Sequence, residues 1–232
     1  MPFYSPFYFD YSIIVLIPAM IFAMWASANV NSTYKKFKKY STQSRMTGFD
    51  AARRILDANG LRHVSIEQIA GELTDHFDPK ANVLRLSGEV YSGCSIASVG
   101  IAAHEAGHAV QYAVGYGPMK LRAAIIPVTN IGSTLAFPIF LVGLLLSHYP
   151  LATFGIILFS LTALFQAVTL PVEFNASRRA MEALESCGVL SGDELGGARK
   201  VLRAAALTYV AALASALAQI LRLVLIVNRH RD

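Results

Sequence analysis

The sequence predicts a mainly α-helical, multi-span membrane protein of about four transmembrane helices, with a small α+β domain on one side of the bilayer. Three observations carry this. Hydrophobic residues make up 54% of the chain and charged residues only 15%, against about a quarter charged in an ordinary soluble domain. Mean hydropathy is +0.46. Four apolar runs, at 11–30, 124–147, 151–172 and 204–227, reach or approach the roughly 20 residues that a spanning helix needs.

The first run reads as an anchor, because no Lys or Arg precedes it and the basic cluster, Lys35 to Lys39, follows it. Of 20 Lys and Arg, 12 lie between the first and second runs and 5 between the third and fourth. By the positive-inside rule both of these segments face the cytoplasm. The same distribution explains the net charge of +5 without nucleic acid, for which no motif is present. Arg229, His230 and Arg231 oppose this topology for the last run, so 204–228 is read as transmembrane or membrane-associated. Cys94 and Cys187, in cytoplasmic segments, are assigned neither a disulfide nor a metal.

The expected organisation is an anchor at 1–30, a cytoplasmic catalytic segment at 31–123, a transmembrane hairpin at 124–172, a cytoplasmic segment at 173–203 and the final helix at 204–228. Within 31–123, Phe49, Ala52, Ile55 and Leu56 have helical spacing, with Thr47 as cap and Gly60 as stop. Residues 73–77 and 83–87 read as two strands joined by the turn residues DPKAN. Ser95 caps a helix over 96–114, closed by Gly115, Gly117 and Pro118. The third span continues as a helix past Pro171 to about Ser186.

The helix at 96–114 contains AAHEAGHA. His104 and His108, four apart, project from one helix face as two adjacent corners of a tetrahedral zinc site require. Glu105 lies about 100° round, where it reaches a zinc-activated water without ligating the metal. A catalytic zinc takes three protein ligands and leaves a fourth position open. The third ligand is not a downstream histidine, since Gln111 and Val114 stand where an extended motif has glycine and histidine, and the later spans contain no Asp. Glu173 is the best placed: two spans separate it from the histidines, which returns it to their side. His76, Glu182, Glu185, Asp193 and Glu194 are the competitors, and pairing with Arg178 or Arg179 is the structural alternative for Glu173.

AHEAGHAVQ, the upstream HFDPKANVLRLSGEVYSGCSIASVG and the downstream PVEFNASRRA resemble the bacterial YugP-like neutral zinc metallopeptidases over about residues 1–228. The resemblance implies a multi-pass peptidase of the bacterial inner membrane with a zincin-like catalytic domain on the cytoplasmic side. It implies one catalytic Zn2+, with His104 and His108 as ligands and Glu105 as base. The downstream segment is similar to the ExxxD pattern of gluzincins, including the HtpX and CAAX-processing membrane proteases, and this implies Glu173 as third ligand. Ser177 stands in place of that aspartate, leaving Ser177, Asn175 or Arg178 to contact the ligating histidine.

The expected function is therefore hydrolysis of peptide bonds in membrane or membrane-proximal proteins, the partners being such substrates and the lipid bilayer. The alternative is a zinc-binding membrane scaffold without turnover; a metal transporter is disfavoured because the ligands flank the spans. Strand 83–87 is the expected edge for an extended substrate. His76, Tyr91, Tyr112 and Arg178 are nominated to stabilise the transition state.

Overall fold

The computed structural model describes residues 11–231; the first ten residues of the expected anchor lie outside them. A 3-10 turn, Tyr11–Val15, enters α1 (Leu16–Phe37), followed by α2 (Gly48–Ala58), β1 (Ser65–Ile69), β2 (His76–Asp78), β3 (Val83–Ser87), α3 (Gly88–Ser92) and α4 (Ile96–Ala113). Three long helices complete the chain: α5 (Gly117–Leu145), α6 (Tyr149–Ser186) and α7 (Asp193–Arg231). The protein is mainly helical, and four of its helices are long and apolar enough to cross a membrane. The described residues form two compact units, one of residues 11–25, 125–167 and 210–231, the other of residues 26–124 and 168–209.

The first unit is built from the apolar stretches. Phe140, Ala152, Ile156, Leu223 and Val227 form its packed cluster. Glycines bring α5 and α6 together. A Cβ at Gly143 would meet the Ala152 backbone nitrogen at 2.3 Å, and one at Gly155 would meet the Phe140 nitrogen at 2.6 Å. Such small-residue contacts let helices associate where lipid removes the hydrophobic drive for side-chain burial. The outward faces carry Ile17, Ile21, Trp25, Ile131, Phe137, Leu145 and Ile157, all exposed. A soluble protein would bury these side chains; in a bilayer they meet acyl chains.

The second unit has an ordinary core, in which Ile55, Leu56, Leu84, Leu86, Val90, Val99, Ala102, Ala106, Leu184 and Val189 are buried together. Helix α4 runs through it and is buried almost throughout, which accounts for its run of Ala and Gly: neighbours on every side leave little room for larger groups. The Thr47 side chain accepts from the Asp50 backbone N–H, and the Asp50 carboxylate accepts from the Thr47 N–H, a reciprocal cap for α2. The Ser95 hydroxyl accepts from the Ser98 N–H at the start of α4.

The sheet departs from expectation. β2 and β3 form the antiparallel hairpin, His76 opposite Arg85 and Asp78 opposite Val83, but β2 is shorter than expected. β1, absent from the sequence reading, pairs parallel to the other side of β3, Ser65 opposite Val83 through Ile69 opposite Ser87. The order is β1-β3-β2, so β3 is central and offers no free edge for a substrate. Its composition agrees: Val83, Leu84, Leu86 and Ser87 are all buried, as a strand covered on both sides requires. The free edges belong to β1 and β2.

Candidate metal centre

Two elements of the second unit build the site. Helix α4 presents His104 and His108, their rings edge to face with centroids 4.7 Å apart. The part of α6 beyond Pro171 presents Glu173. The two backbones approach closely because position 107 has no side chain: a Cβ there would sit 2.8 Å from the Ala176 carbonyl oxygen. Glu173, Ala176 and Ser177 lie on one face of α6 at helical spacing, so the contact at Gly107 sets the carboxylate opposite the histidines.

His104 Nε2 lies 3.2 Å from Glu173 Oε2 and His108 Nε2 lies 3.6 Å from the same oxygen. One donor atom from each of the three residues falls within 4.8 Å of the others. Donors bound at about 2.0–2.1 Å to a tetrahedral zinc stand about 3.3–3.4 Å apart. Two imidazole nitrogens and a carboxylate oxygen are the donor set that zinc takes, so both the chemistry and the spacing fit the metal.

Each of these side chains is held from behind. The Ser177 Oγ lies 3.2 Å from His104 Nδ1, the substitute contact for the missing aspartate. Gln111, fully buried, places its Oε1 2.9 Å from His108 Nδ1 while its Nε2 donates to the Val172 carbonyl at 2.8 Å and to Asn175 Oδ1 at 2.9 Å. A carbonyl only accepts, so the amide has one allowed orientation. Its oxygen then faces His108 Nδ1, which must donate, so a neutral ring carries its lone pair on Nε2, the nitrogen on the Glu173 side. Arg122 Nη1 donates to Glu173 Oε1 at 3.2 Å, the oxygen away from the histidines.

Glu105 is buried beside this cluster. Burial pushes its carboxyl above the ordinary range, against the opposing pull of His108 and then His104. His104, Glu105 and Glu173 line a cavity of about 220 Å³ with Asp75, Leu73, Ser177 and Tyr209. Asp75 accepts from the Ser87 backbone N–H at 2.7 Å and from its hydroxyl at 3.1 Å, and burial raises its carboxyl as well. A groove of about 490 Å³ shares Ser177, Leu202 and Ala206 with this cavity.

The residues singled out in the sequence separate clearly. His104, Glu105, His108 and Glu173 come together. Among the described residues no other His, Cys, Asp or Glu joins the three-residue donor group. His76 sits on β2 with its Nδ1 against the Thr74 carbonyl, Glu182 pairs with Arg178, and Glu194 accepts from the Gln43 and Ser191 N–H groups. The partner of Glu173 is Arg122, not Arg178 or Arg179. Tyr91 packs on Phe49 and Tyr112 on Phe77; neither these nor His76 nor Arg178 lines the cavity. Gln111, Arg122, Asp75 and Tyr209 were not foreseen. Gln111 was visible in the sequence as a large amide on the ligand-bearing helix, four residues before its closing glycine, whereas Arg122 was absorbed into the count of membrane-flanking charges.

The family described as "Putative neutral zinc metallopeptidase" matches residues 12–228. The chain is 47% identical over 220 residues to a protein of Bacillus subtilis (strain 168) called "Putative membrane protease YugP", a match that covers 95% of this chain and 98% of that protein. No solved structure matches it.

Proposed function

The chain belongs to this neutral zinc metallopeptidase family, and from that membership we propose that it is a membrane-embedded endopeptidase that cleaves membrane or membrane-proximal proteins. The site stands on the cytoplasmic side of a bacterial inner membrane, in a zincin-like domain formed by 31–123 together with 173–203. The segments 1–30, 124–172 and 204–228 hold it in the bilayer. One observation carries the reading: three donor atoms converge at zinc spacing beside a carboxylate that is not one of them.

His104, His108 and Glu173 would hold a single zinc, gluzincin fashion. When bound, the metal supplies Lewis acidity toward the scissile carbonyl and lowers the pKa of water. Glu105 takes the proton from the attacking water and returns it to the leaving amine. Tyr209, whose side chain lines the same cavity, is the phenol placed to donate to the oxygen that becomes negative in the transition state. Ser177, Gln111 and Arg122 keep the ligands in register. The groove that continues past Ser177, Leu202 and Ala206 gives room for a polypeptide on one side of the scissile bond, and the free edge of β2, next to Leu73 and Asp75, replaces β3 as the place for an added strand.

A structural zinc site would be closed by a fourth protein ligand; an unligated buried glutamate argues against a scaffold. The test is zinc content and cleavage of membrane-protein substrates in liposomes for wild type, Glu105→Gln and Glu173→Ala. Glu105→Gln keeps zinc and loses cleavage by about 10²–10⁴-fold, while Glu173→Ala loses both. Zinc retained in full by Glu173→Ala overturns the ligand assignment, and cleavage retained by Glu105→Gln overturns the mechanism.

A further inference from the structure

A second cleft lies away from the metal centre, between the end of α1 and the start of α7. The two segments run antiparallel here: position 197 meets the Phe37 ring, and one helical turn further along α7, Val201 packs with Tyr34, almost one turn back along α1. Asn29, Thr33 and Lys36 line the cleft from α1, and Lys200, Arg203 and Leu207 from α7, with Ala204 at its base. Both sets follow helical spacing, so the walls are regular and the cleft has two distinct ends. Lys36 and Lys200 mark one. Leu207 and Asn29 mark the other.

That polarity is aligned with the apolar runs. The hydrophobic stretch of α1 ends before Tyr34, and that of α7 begins after Arg203. The cationic end therefore falls where both helices leave their apolar segments, and the Leu207 end falls within them. No carboxylate lines the cleft. Among the described residues none of Lys36, Lys200 and Arg203 is in an ion pair. Arg203 also borders the neighbouring groove, where Glu182 and Glu185 accompany Arg178 and Arg199, whereas Lys36 and Lys200 line only the cleft. Three cations in no ion pair around a pocket of about 290 Å³, at the boundary of two spans, match a phosphodiester at headgroup level, with an acyl chain continuing along Ala204 and Leu207.

We propose that this cleft binds the phosphate headgroup of an anionic membrane lipid, held by Lys36, Lys200 and Arg203. The proposal rests on the membrane reading of the chain and not on the peptidase reading. The test is native mass spectrometry of the full chain in mild detergent, titrated with dioleoylphosphatidylglycerol, with dioleoylphosphatidylcholine and with inorganic phosphate. Each juxtamembrane cation contributes about fivefold to the affinity for an anionic lipid, so Lys36→Ala/Lys200→Ala/Arg203→Ala weakens phosphatidylglycerol binding about 100-fold. The control Lys35→Ala/Arg62→Ala/Lys80→Ala, with the same change in charge but outside the cleft, keeps it. If the first triple variant does not fold, Lys200→Glu at an exposed position gives the same comparison. Equal loss in both triples, equal binding of phosphatidylcholine, or displacement of the lipid by inorganic phosphate at equal concentration each overturns the proposal, the last by reassigning the cleft to free anions.

Discussion

Gln111 offers the sharpest test of how the proposed metal ligands are held. Replacing it by methionine keeps length and volume but removes the amide. The Val172 carbonyl lies inside α6 and keeps its own helical N–H, and Asn175 Oδ1 keeps its bond from Arg179 Nε at 2.8 Å. One group is stranded: His108 Nδ1, on a side chain that is only 10% exposed. A buried donor without a partner costs about 1–3 kcal/mol. Loss of the group that orients a ligating histidine weakens metal binding about 10–100-fold, which is about 1.4–2.7 kcal/mol and agrees with that cost. Competition for zinc against a chromogenic chelator, in detergent and with the fold checked by thermal melting, measures this. Gln111→Glu is the companion variant: its carboxylate still accepts from His108 Nδ1, so zinc affinity stays near wild type while stability drops, because an acceptor now faces the Val172 carbonyl. A folded Gln111→Met protein that binds zinc within threefold of wild type would refute the orienting role.

Two further outcomes follow from the same geometry. Gly107→Ala sets a methyl 2.8 Å from the Ala176 carbonyl oxygen and pushes α6 off α4; zinc affinity falls at least tenfold although no ligand is changed, and wild-type affinity in a folded variant would show that this helix contact does not set the ligand spacing. Asp75 has a carboxyl raised by burial, so between its unfolded pKa, about 3.9, and its higher folded value only the unfolded state releases the proton, and its contribution to stability falls as pH rises through that window. Asp75→Asn keeps an acceptor for Ser87 and removes this decline, whereas Asp75→Ala strands the Ser87 N–H and destabilises by about 1–3 kcal/mol; denaturant melts from pH 4 to 8 separate the two, and parallel pH profiles for wild type and Asp75→Asn would count against the assignment.

Much of the site could be read from the sequence because its signals are local or topological. His104, Glu105 and His108 follow from the helical repeat. Glu173 is expected from counting crossings, since two spans return a chain to its starting side, and it lies with the two histidines. The supporting residues were harder. Ser177 was reachable because a familiar pattern has an aspartate there, but Gln111 and Arg122 act across α4, α5 and α6, and no periodicity encodes a contact between helices 50 or more positions apart. The sheet shows the same limit. Burial on both sides of β3 is written in Val83, Leu84 and Leu86, whereas β1 has the sequence SIEQI and is mostly exposed, so it lacks the alternation that marks a half-buried strand.

The spacing of the donor set along the chain also orders the protein's birth. Glu173 follows His104 by 69 residues, and the whole of α5 and most of α6 are made in between. At ribosomal rates of 5–20 residues per second the histidine pair exists for roughly 3–14 s before its carboxylate emerges. During that interval the helix with Glu105 can fold, yet the proposed metal site has only two of its three donors. On the proposed peptidase reading, hydrolytic competence begins only once both middle helices have been made and Glu173 follows them, so the order of translation works as a safety catch.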